Sequence, residues 1–185
     1  MGLVPRRASL TRSRWEWLAD LGTDATILDY GCGYGRSVVE LHAHGYRDVT
    51  GVDPSVALIH RARELAPNLQ FWVITDPPKI PEHVSRVDLT LISAVLTCDP
   101  ADADQAALID GVWQATAPGG FVYISDLLID EADSARYRTL AGSDHPYGTF
   151  ETEAGGGPQI SIIRPRAVPA TTQFRVSRPR SSSVS

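Results

Sequence analysis

Cysteine is scarce in this 185-residue chain, which contains only Cys32 and Cys98. The two residues lie far apart and match no metal-ligand spacing, so we predict no metal site. We expect a reduced, cytoplasmic environment for such a chain. No apolar run approaches the length that crosses a membrane, so no membrane association is expected.

Acidic residues are absent from Ala154 onward, where five of the 17 basic residues lie. Residues 1–153 therefore hold 12 basic and all 22 acidic residues, a formal charge of −10, against −5 for the whole chain. An acidic body argues against a broad nucleic-acid-binding surface, so we expect no nucleic-acid partner.

The most informative stretch is residues 27–36, in which a short apolar segment precedes glycines at every second position. Residues 27–30 suit a buried strand, and residues 36–44 suit a helix that Gly45 ends. A strand, a glycine turn and a helix open many nucleotide-binding α/β folds. Backbone N–H groups at such a turn can receive a carboxylate or a phosphate.

A second strand is predicted over residues 48–53, and it ends in Asp53. Pro54 and Ser55 suit the start of a helix, in which Leu58, Ala62 and Leu65 have the spacing of a face that packs on a sheet. At the end of a second strand, a carboxylate can accept hydrogen bonds from both ribose hydroxyls. The alternative is that Asp53 only begins the helix, where an acid suits the dipole.

Three more strands are predicted over residues 70–74, 86–93 and 121–126. A helix over residues 102–117 precedes the last of them, with Ile109, Val112 and Trp113 facing inward, and Pro118, Gly119 and Gly120 end it. Strands that alternate with helices predict an α/β fold with a doubly wound, mostly parallel sheet.

The motif over residues 29–35 resembles the first motif of the class I S-adenosylmethionine-dependent methyltransferases. It departs from the dinucleotide fingerprint G-x-G-x-x-G, because Arg36 stands where the third glycine is required. Asp53 and the Pro-Gly-Gly segment before the fifth strand extend the resemblance to small bacterial members over about residues 9–150.

The resemblance implies a Rossmann-like methyltransferase topology with strand order 3-2-1-4-5-7-6 and S-adenosyl-L-methionine as cofactor. Asp76 would bind the adenine amino group, although an Asp-Pro turn is an equal alternative, and Ile80 would cover the adenine. The implied cofactor-binding residues are Asp29, Gly31, Cys32, Gly33, Asp53, Pro54, Asp76 and Ser93.

The resemblance also implies methyl transfer to a small-molecule acceptor, with no fixed catalytic residue. Cys32 is interpreted as a small loop residue rather than a nucleophile. Candidate acceptor-pocket residues are Cys98, Asp126, His145 and Tyr147. Two alternatives are a cofactor-binding but catalytically impaired relative and an NAD-dependent oxidoreductase, and Arg36 in the glycine pattern disfavours the second. The sequence does not indicate an oligomeric state.

Three regions are predicted along the chain. Residues 1–8 are expected to be flexible, and residues 9–154 to form the methyltransferase domain. Residues 155–185 are rich in Arg, Ser and Pro. They suit either a disordered tail or an irregular strand pair formed by residues 159–163 and 171–176.

Overall fold

The computed structural model describes Leu18, residues 21–98 and 102–127, and the short segments 138–139, 149–151, 160–161 and 171–177. Three helices are described, α1 (Arg36–Ala43), α2 (Val56–Leu65) and α3 (Asp102–Ala115), together with a 3₁₀ turn (Leu96–Cys98). The strands are β1 (Thr26–Tyr30), β2 (Asp48–Asp53), β3 (Gln70–Val73), β4 (Val87–Ser93), β5 (Thr116–Leu127), β6 (Arg138–Thr139), β7 (Thr149–Glu151), β8 (Ile160–Ser161) and β9 (Thr171–Ser177). None of the helices among these residues combines the length and the apolar character that a membrane crossing requires.

Six of the strands form one sheet in the order β3-β2-β1-β4-β5-β9. The first five are parallel, and β9 runs antiparallel to β5 with Phe121 opposite Ser177 and Leu127 opposite Thr171. This confirms the predicted doubly wound, mostly parallel sheet. The implied order 3-2-1-4-5-7-6 holds for the first five strands, but in the described part of the chain the single strand β9 follows β5 in place of the implied 7-6 pair. The carboxyl ends of β1, β2 and β4 meet at one edge, where a doubly wound sheet binds its ligands.

Strand β1 lies in the middle of the sheet and is buried on both faces. Ile27 packs in the cluster that contains Val38 of α1 and Ile59 of α2. Leu28 packs in the opposite cluster with Leu108 of α3. Because successive side chains of a strand point to opposite faces, the run of apolar residues in β1 supplies both layers of the core.

Helix α2 packs on the sheet through a different face from the one predicted. Ile59 and Ala62 are fully buried, whereas Leu58 is 39% and Leu65 is 53% exposed. The prediction that Leu58, Ala62 and Leu65 form the buried face is therefore wrong for both leucines. Ser55 does cap the helix, since its hydroxyl oxygen accepts a hydrogen bond from the Leu58 N–H at 3.3 Å. The cap and the chain direction after β2 orient the helix so that Leu58 lies at the sheet edge.

Helix α3 ends earlier than predicted, at Ala115, and strand β5 begins at Thr116. The Thr116 hydroxyl donates a hydrogen bond to the Val112 carbonyl at 2.7 Å, while Thr116 already pairs with Val87 of β4. The three residues Pro118, Gly119 and Gly120 therefore lie inside β5, at the irregularity where the β4 register shifts, and not at the helix end.

The two candidate strands of the tail do not pair with each other. Thr171–Ser177 is β9 of the main sheet, whereas Ile160–Ser161 pairs with β7 in a second sheet of order β6-β7-β8. The domain boundary expected near residue 155 stays a prediction.

The two glycines before α1 allow a matched test of loop packing. Gly35 has φ +85°, and an added Cβ would lie 2.5 Å from the Phe71 ring, whereas Gly33 has φ +57° with open space around it. Alanine costs about 1–2 kcal/mol in backbone strain at either position. We expect Gly35→Ala to lower the free energy of unfolding by about 1–3 kcal/mol more than Gly33→Ala, the usual range for overpacking. Urea unfolding measures both variants, and equal losses would contradict the contact with Phe71.

Candidate functional site

The glycine turn is attached to the end of β2 by backbone and side-chain hydrogen bonds. Gly31 and Cys32 donate their N–H groups to the Val52 carbonyl, at 2.8 and 3.0 Å. Asp53 accepts the Gly33 N–H on Oδ2 at 2.9 Å and the Ser55 N–H on Oδ1 at 2.8 Å. Asp53 thus joins the turn to the start of α2, and the predicted helix-start contact is present.

A cavity of about 420 Å³ opens beside the turn. It is large enough for a small ligand. The cavity is lined by the end of β1, the turn, the first residues of α1, one residue of α2 and the end of β4. These residues are Asp29, Gly31, Cys32, Gly33, Tyr34, Arg36, Ser37, Leu58 and Ser93.

Asp29 is the buried acid of this cavity, with only 2% of its surface exposed. Burial and, second, the charge of Asp53 raise the pKa of its carboxyl from 3.8 to about 7. Its Oδ2 atom accepts no hydrogen bond from the described residues. A buried carboxyl oxygen without a partner is costly unless a ligand or water donates to it.

Cys32 lies in the same turn and is half-buried. Burial, followed by the charges of Asp29 and Asp53, raises the pKa of its thiol. The thiol lies 3.6 Å from the Gly33 carbonyl, to which it donates a weak hydrogen bond. A neutral thiol is a poor nucleophile, and these surroundings favour the interpretation of Cys32 as a loop residue.

A second cavity, of about 410 Å³, adjoins the first and shares Gly31 and Leu58 with it. Its walls come from the ends of β1, β2 and β4, the loop after β3, the 3₁₀ turn and α3. The lining residues are Tyr30, Gly31, Asp53, Pro54, Leu58, Pro77, Pro78, Ala94, Val95, Leu96, Cys98, Asp104, Gln105 and Leu108. Most of them are apolar, as in many sites for small ligands.

The wall at the end of β4 contains a strained residue. Ala94 has φ +56°, and its N–H donates to the Ser125 carbonyl of β5 at 2.8 Å. A left-handed alanine costs about 1–2 kcal/mol, and such strain clusters at functional sites. Gln105 of α3 donates from Nε2 to the Leu96 carbonyl at 3.0 Å, which fixes the 3₁₀ turn against the helix.

Seven of the eight predicted cofactor-binding residues line the two cavities, and Asp76 does not. Asp29, Cys32, Gly33 and Ser93 line the first cavity only; Asp53 and Pro54 line the second only; Gly31 lines both. The Asp76 side chain is 67% exposed and forms an ion pair with Lys79.

Predictions for the adenine cover and the acceptor pocket have a mixed outcome. Ile80 packs against the core cluster of α3 and lines neither cavity. Cys98 lines the second cavity, and Asp126 lines neither. His145 and Tyr147 lie outside the described residues.

Sequence reasoning missed several lining residues. Tyr34 lies between the second and third glycines, and Arg36 and Ser37 follow the third, so their place in or next to the glycine motif was the signal that could have identified them. Leu58 was assigned to the core by its spacing. Pro77 and Pro78 lie next to Asp76, and only the folded loop shows which of these neighbours faces the cavity.

The doubly wound sheet, the glycine turn and the paired cavities at the ends of β1 and β4 define a Rossmann-like protein that binds a nucleotide-containing cofactor. Residues 27–120, half of the chain, match the family model of the methyltransferase domain. The chain belongs to the S-adenosylmethionine-dependent methyltransferases, which confirms the resemblance identified from the sequence.

Three similar proteins illustrate the relationship. A trans-aconitate 2-methyltransferase from Paracidovorax citrulli is 31% identical over 134 residues, which are 70% of this chain and 49% of that protein. A ribosomal protein L11 methyltransferase from Cellvibrio japonicus is 29% identical over 112 residues, 60% of this chain and 37% of that protein. The crystal structure of an S-adenosylmethionine-dependent methyltransferase from Mesorhizobium loti is 28% identical with a TM-score of 0.60, and the match covers 80% of this chain and 73% of that one. The chain spans half or less of the length of these two sequence relatives.

The cofactor of this family is S-adenosylmethionine, and the residues of the site fit it. The cofactor has an ammonium group, a carboxylate and a ribose diol. The first cavity contains a buried carboxyl oxygen that has no partner among the described residues, and Asp53 lines the adjoining second cavity. A carboxylate oxygen that accepts no hydrogen bond from the protein can accept one from an ammonium group. Hydrogen bonds between two charged groups are stronger than those between neutral groups.

The raised pKa of Asp29 predicts a pH-dependent effect of Asp29→Asn. The carboxyl pKa of about 7 in the folded protein, against an ordinary value of 3.8, means that Asp29 favours folding at low pH and loses this contribution as the pH rises through 7. Asparagine stays neutral. We therefore expect the free energy of unfolding of Asp29→Asn, relative to that of the wild type, to be higher at pH 8 than at pH 5. The increase is up to about 1.4 kcal/mol for each unit of pKa shift. Urea unfolding at both pH values measures this, with Asp110→Asn on the exposed side of α3 as the control. A stability difference that is the same at pH 5 and pH 8 would contradict the raised pKa.

Proposed function

We propose that this chain transfers a methyl group from S-adenosylmethionine to a small-molecule acceptor. The observation that supports this most directly is the pair of adjoining cavities at the ends of β1, β2 and β4, one with a buried acid and one with mostly apolar walls. Bound there, the cofactor supplies a methyl group that is activated by the positive sulfonium.

The proposed cofactor contacts follow from the polar groups of the site. Asp29 accepts a hydrogen bond from the ammonium group of the amino-acid end, and Gly31 and Gly33 leave room for it beside the turn. Asp53 accepts from the ribose. Each oxygen of Asp53 already accepts one backbone N–H, but a carboxylate oxygen can accept a second hydrogen bond. Adenine takes part of the apolar second cavity, against Pro54 and Pro77, and the rest of that cavity, which Cys98 also lines, is left for the acceptor.

Adenine recognition by Asp76 stays a proposal that would require its loop to move. Asp76 is paired with Lys79 on the surface, and this pair must separate before the carboxylate can turn toward a ligand. An exposed ion pair is worth only about 0–1 kcal/mol, so its loss is a small obstacle.

The contribution of the protein is mainly positioning and the exclusion of water. Orientation alone can supply several kcal/mol of a barrier. The buried acid, the closed turn and the strained end of β4 fix the walls of the site before a ligand arrives. We assign no general base, since one is needed only when the acceptor arrives protonated.

A small molecule is the proposed acceptor because the body of the protein is acidic and the second cavity is enclosed by apolar side chains. The acidic residues disfavour nucleic acid. The named acceptors of two relatives differ, a small carboxylic acid in one and a ribosomal protein in the other. Only the first suits a cavity rather than an extended surface.

Asp53→Ala should weaken the binding of S-adenosylhomocysteine by about 1.5–3 kcal/mol, the range for hydrogen bonds to a charged group. The variant also loses the Gly33 contact, so the loss is expected at the upper end. Calorimetric titration measures the affinity. Asp48→Ala is the matched control, because Asp48 lies at the opposite end of β2 and accepts only from the Thr26 hydroxyl among the hydrogen bonds of the described residues. If the Asp53→Ala protein folds and its affinity for S-adenosylhomocysteine is unchanged, Asp53 does not bind the ribose and its role is only structural, at the start of α2.

Turnover is tested by incubating the protein with methyl-labelled S-adenosylmethionine and a panel of small acids, amines and phenols, with ribosomal protein L11 as a protein acceptor. Label transfer to a small molecule is expected. Transfer only to the protein would overturn the proposed acceptor class. Cofactor binding without any transfer would favour the catalytically impaired alternative.

A further inference from the structure

The second cavity is apolar over most of its wall, and the charged side chains that line it are all acidic. Among the described residues its wall contains Asp53 and Asp104 but no Lys, Arg or His. Lys79, in the loop after β3, is already paired with Asp76. A negatively charged acceptor would therefore lie beside acids without a compensating cation, and such like-charge contacts are costly. A positively charged acceptor meets no such cost.

Asp104 is the acid of this cavity that is left for an acceptor. Each oxygen of Asp53 already accepts a backbone N–H, and its remaining capacity is assigned to the ribose. Asp104, in contrast, is exposed and forms no ion pair with a cation of the described residues. An exposed carboxylate at the edge of an apolar cavity suits a ligand that has one cationic group and an apolar body.

Helix α3 holds Asp104 at the wall of the cavity. Asp104 lies one turn before Leu108, which is buried and lines the same cavity, and residues four apart share a helix face. The neighbouring Gln105 joins the helix to the 3₁₀ turn through the Leu96 carbonyl. An acid in the first turn also suits the helix dipole, so a test has to separate this structural role from ligand binding.

We propose that the methyl acceptor is an amine with an apolar body, and that Asp104 binds its ammonium form. This inference rests on the proposed function and deepens it by naming the chemical class of the acceptor. The apolar body packs against Val95, Leu96 and Leu108, which line the cavity beside Asp104. The relative from Paracidovorax citrulli is named for a carboxylic acid, so the two acceptors differ in the sign of their charge.

Methyl transfer to such an acceptor requires the loss of one proton first. The ammonium group gives a proton to the Asp104 carboxylate, which passes it to solvent because the side chain is exposed. The lone pair of the neutral amine nitrogen then forms a bond to the methyl carbon. The carbon–sulfur bond breaks and its electron pair stays on sulfur, so the products are a methylated ammonium and a neutral thioether.

Pairs of compounds that differ only in their charged group test the acceptor class. Each pair has the same apolar body, which carries either an aminomethyl group or a carboxylate: benzylamine and benzoate, 2-phenylethylamine and phenylacetate, tryptamine and indole-3-acetate. The full chain is saturated with S-adenosylhomocysteine, and the Kd of each compound is measured by ligand-observed NMR titration. We expect each amine to bind about tenfold more tightly than its acid, a modest preference because Asp104 is exposed. With methyl-labelled S-adenosylmethionine, label should pass to the amines and not to the acids.

Substitutions at Asp104 assign the preference to this residue. Asp104→Asn should lose most of the preference, Asp104→Glu should keep it, and Asp104→Lys should reverse it in favour of the acids. Asp110→Asn is the matched control, because Asp110 lies on the same helix, is exposed and lines neither cavity. All four variants should bind S-adenosylhomocysteine as the wild type does. A role limited to the helix dipole would change the stability of the variants and not their preference.

The possible outcomes separate the inference from the function on which it rests. Acids that bind as tightly as the amines, no binding of either, or an unchanged preference in Asp104→Asn would overturn the amine class. Methylation of acids or phenols alone would also overturn it, while the proposed methyl transfer stands. Binding of amines without any transfer would overturn the methyl transfer and leave recognition by Asp104 intact. Failure of the wild type to bind S-adenosylhomocysteine would overturn both proposals.

Discussion

The two hydrogen bonds that Asp53 accepts from the backbone are the constraint on which the site depends. Through Gly33 the carboxylate fixes the glycine turn, and through Ser55 it fixes the start of α2. With 7% of its surface exposed, Asp53 makes these bonds in a partly desolvated environment, where hydrogen bonds to a charged group are strong. The shape of both cavities follows from this connection, because the turn forms one wall and α2 supplies Leu58 to both.

The same arrangement concentrates negative charge. Asp29 lies close enough to Asp53 for the second carboxylate to contribute to its raised pKa, after burial. Two nearby carboxylates repel each other when both are ionised. A cationic ligand would reduce this repulsion, so the unfavourable interaction between the two carboxylates lies where an ammonium group is expected to bind. Unfavourable interactions between charged groups, such as this pair of carboxylates, are common at functional sites.

The sequence was sufficient to predict the five parallel strands and seven of the cofactor-binding residues that line the cavities, because burial patterns and glycine spacing are local signals. The order of the parallel strands was implied by the family resemblance. The sequence was not sufficient for features that depend on neighbours. Leu58 and Leu65 satisfy the helical spacing, but the direction in which α2 leaves Asp53 decides which face is buried. Pro118, Gly119 and Gly120 usually end a helix, yet pairing of Thr116 with Val87 extends the strand through them. In the sequence, Arg36 served only to exclude the dinucleotide fingerprint, because it stands where that pattern requires a glycine. The cavity that Arg36 lines forms only when β1, α1 and β4 come together.

The central claim is that the two cavities bind an S-adenosyl cofactor and not a dinucleotide. Calorimetric titration of the full chain with S-adenosylhomocysteine and, separately, with NAD tests it most directly. Saturable, one-to-one binding of S-adenosylhomocysteine with no heat of binding from NAD is the predicted result. Binding of NAD without binding of S-adenosylhomocysteine would contradict the claim.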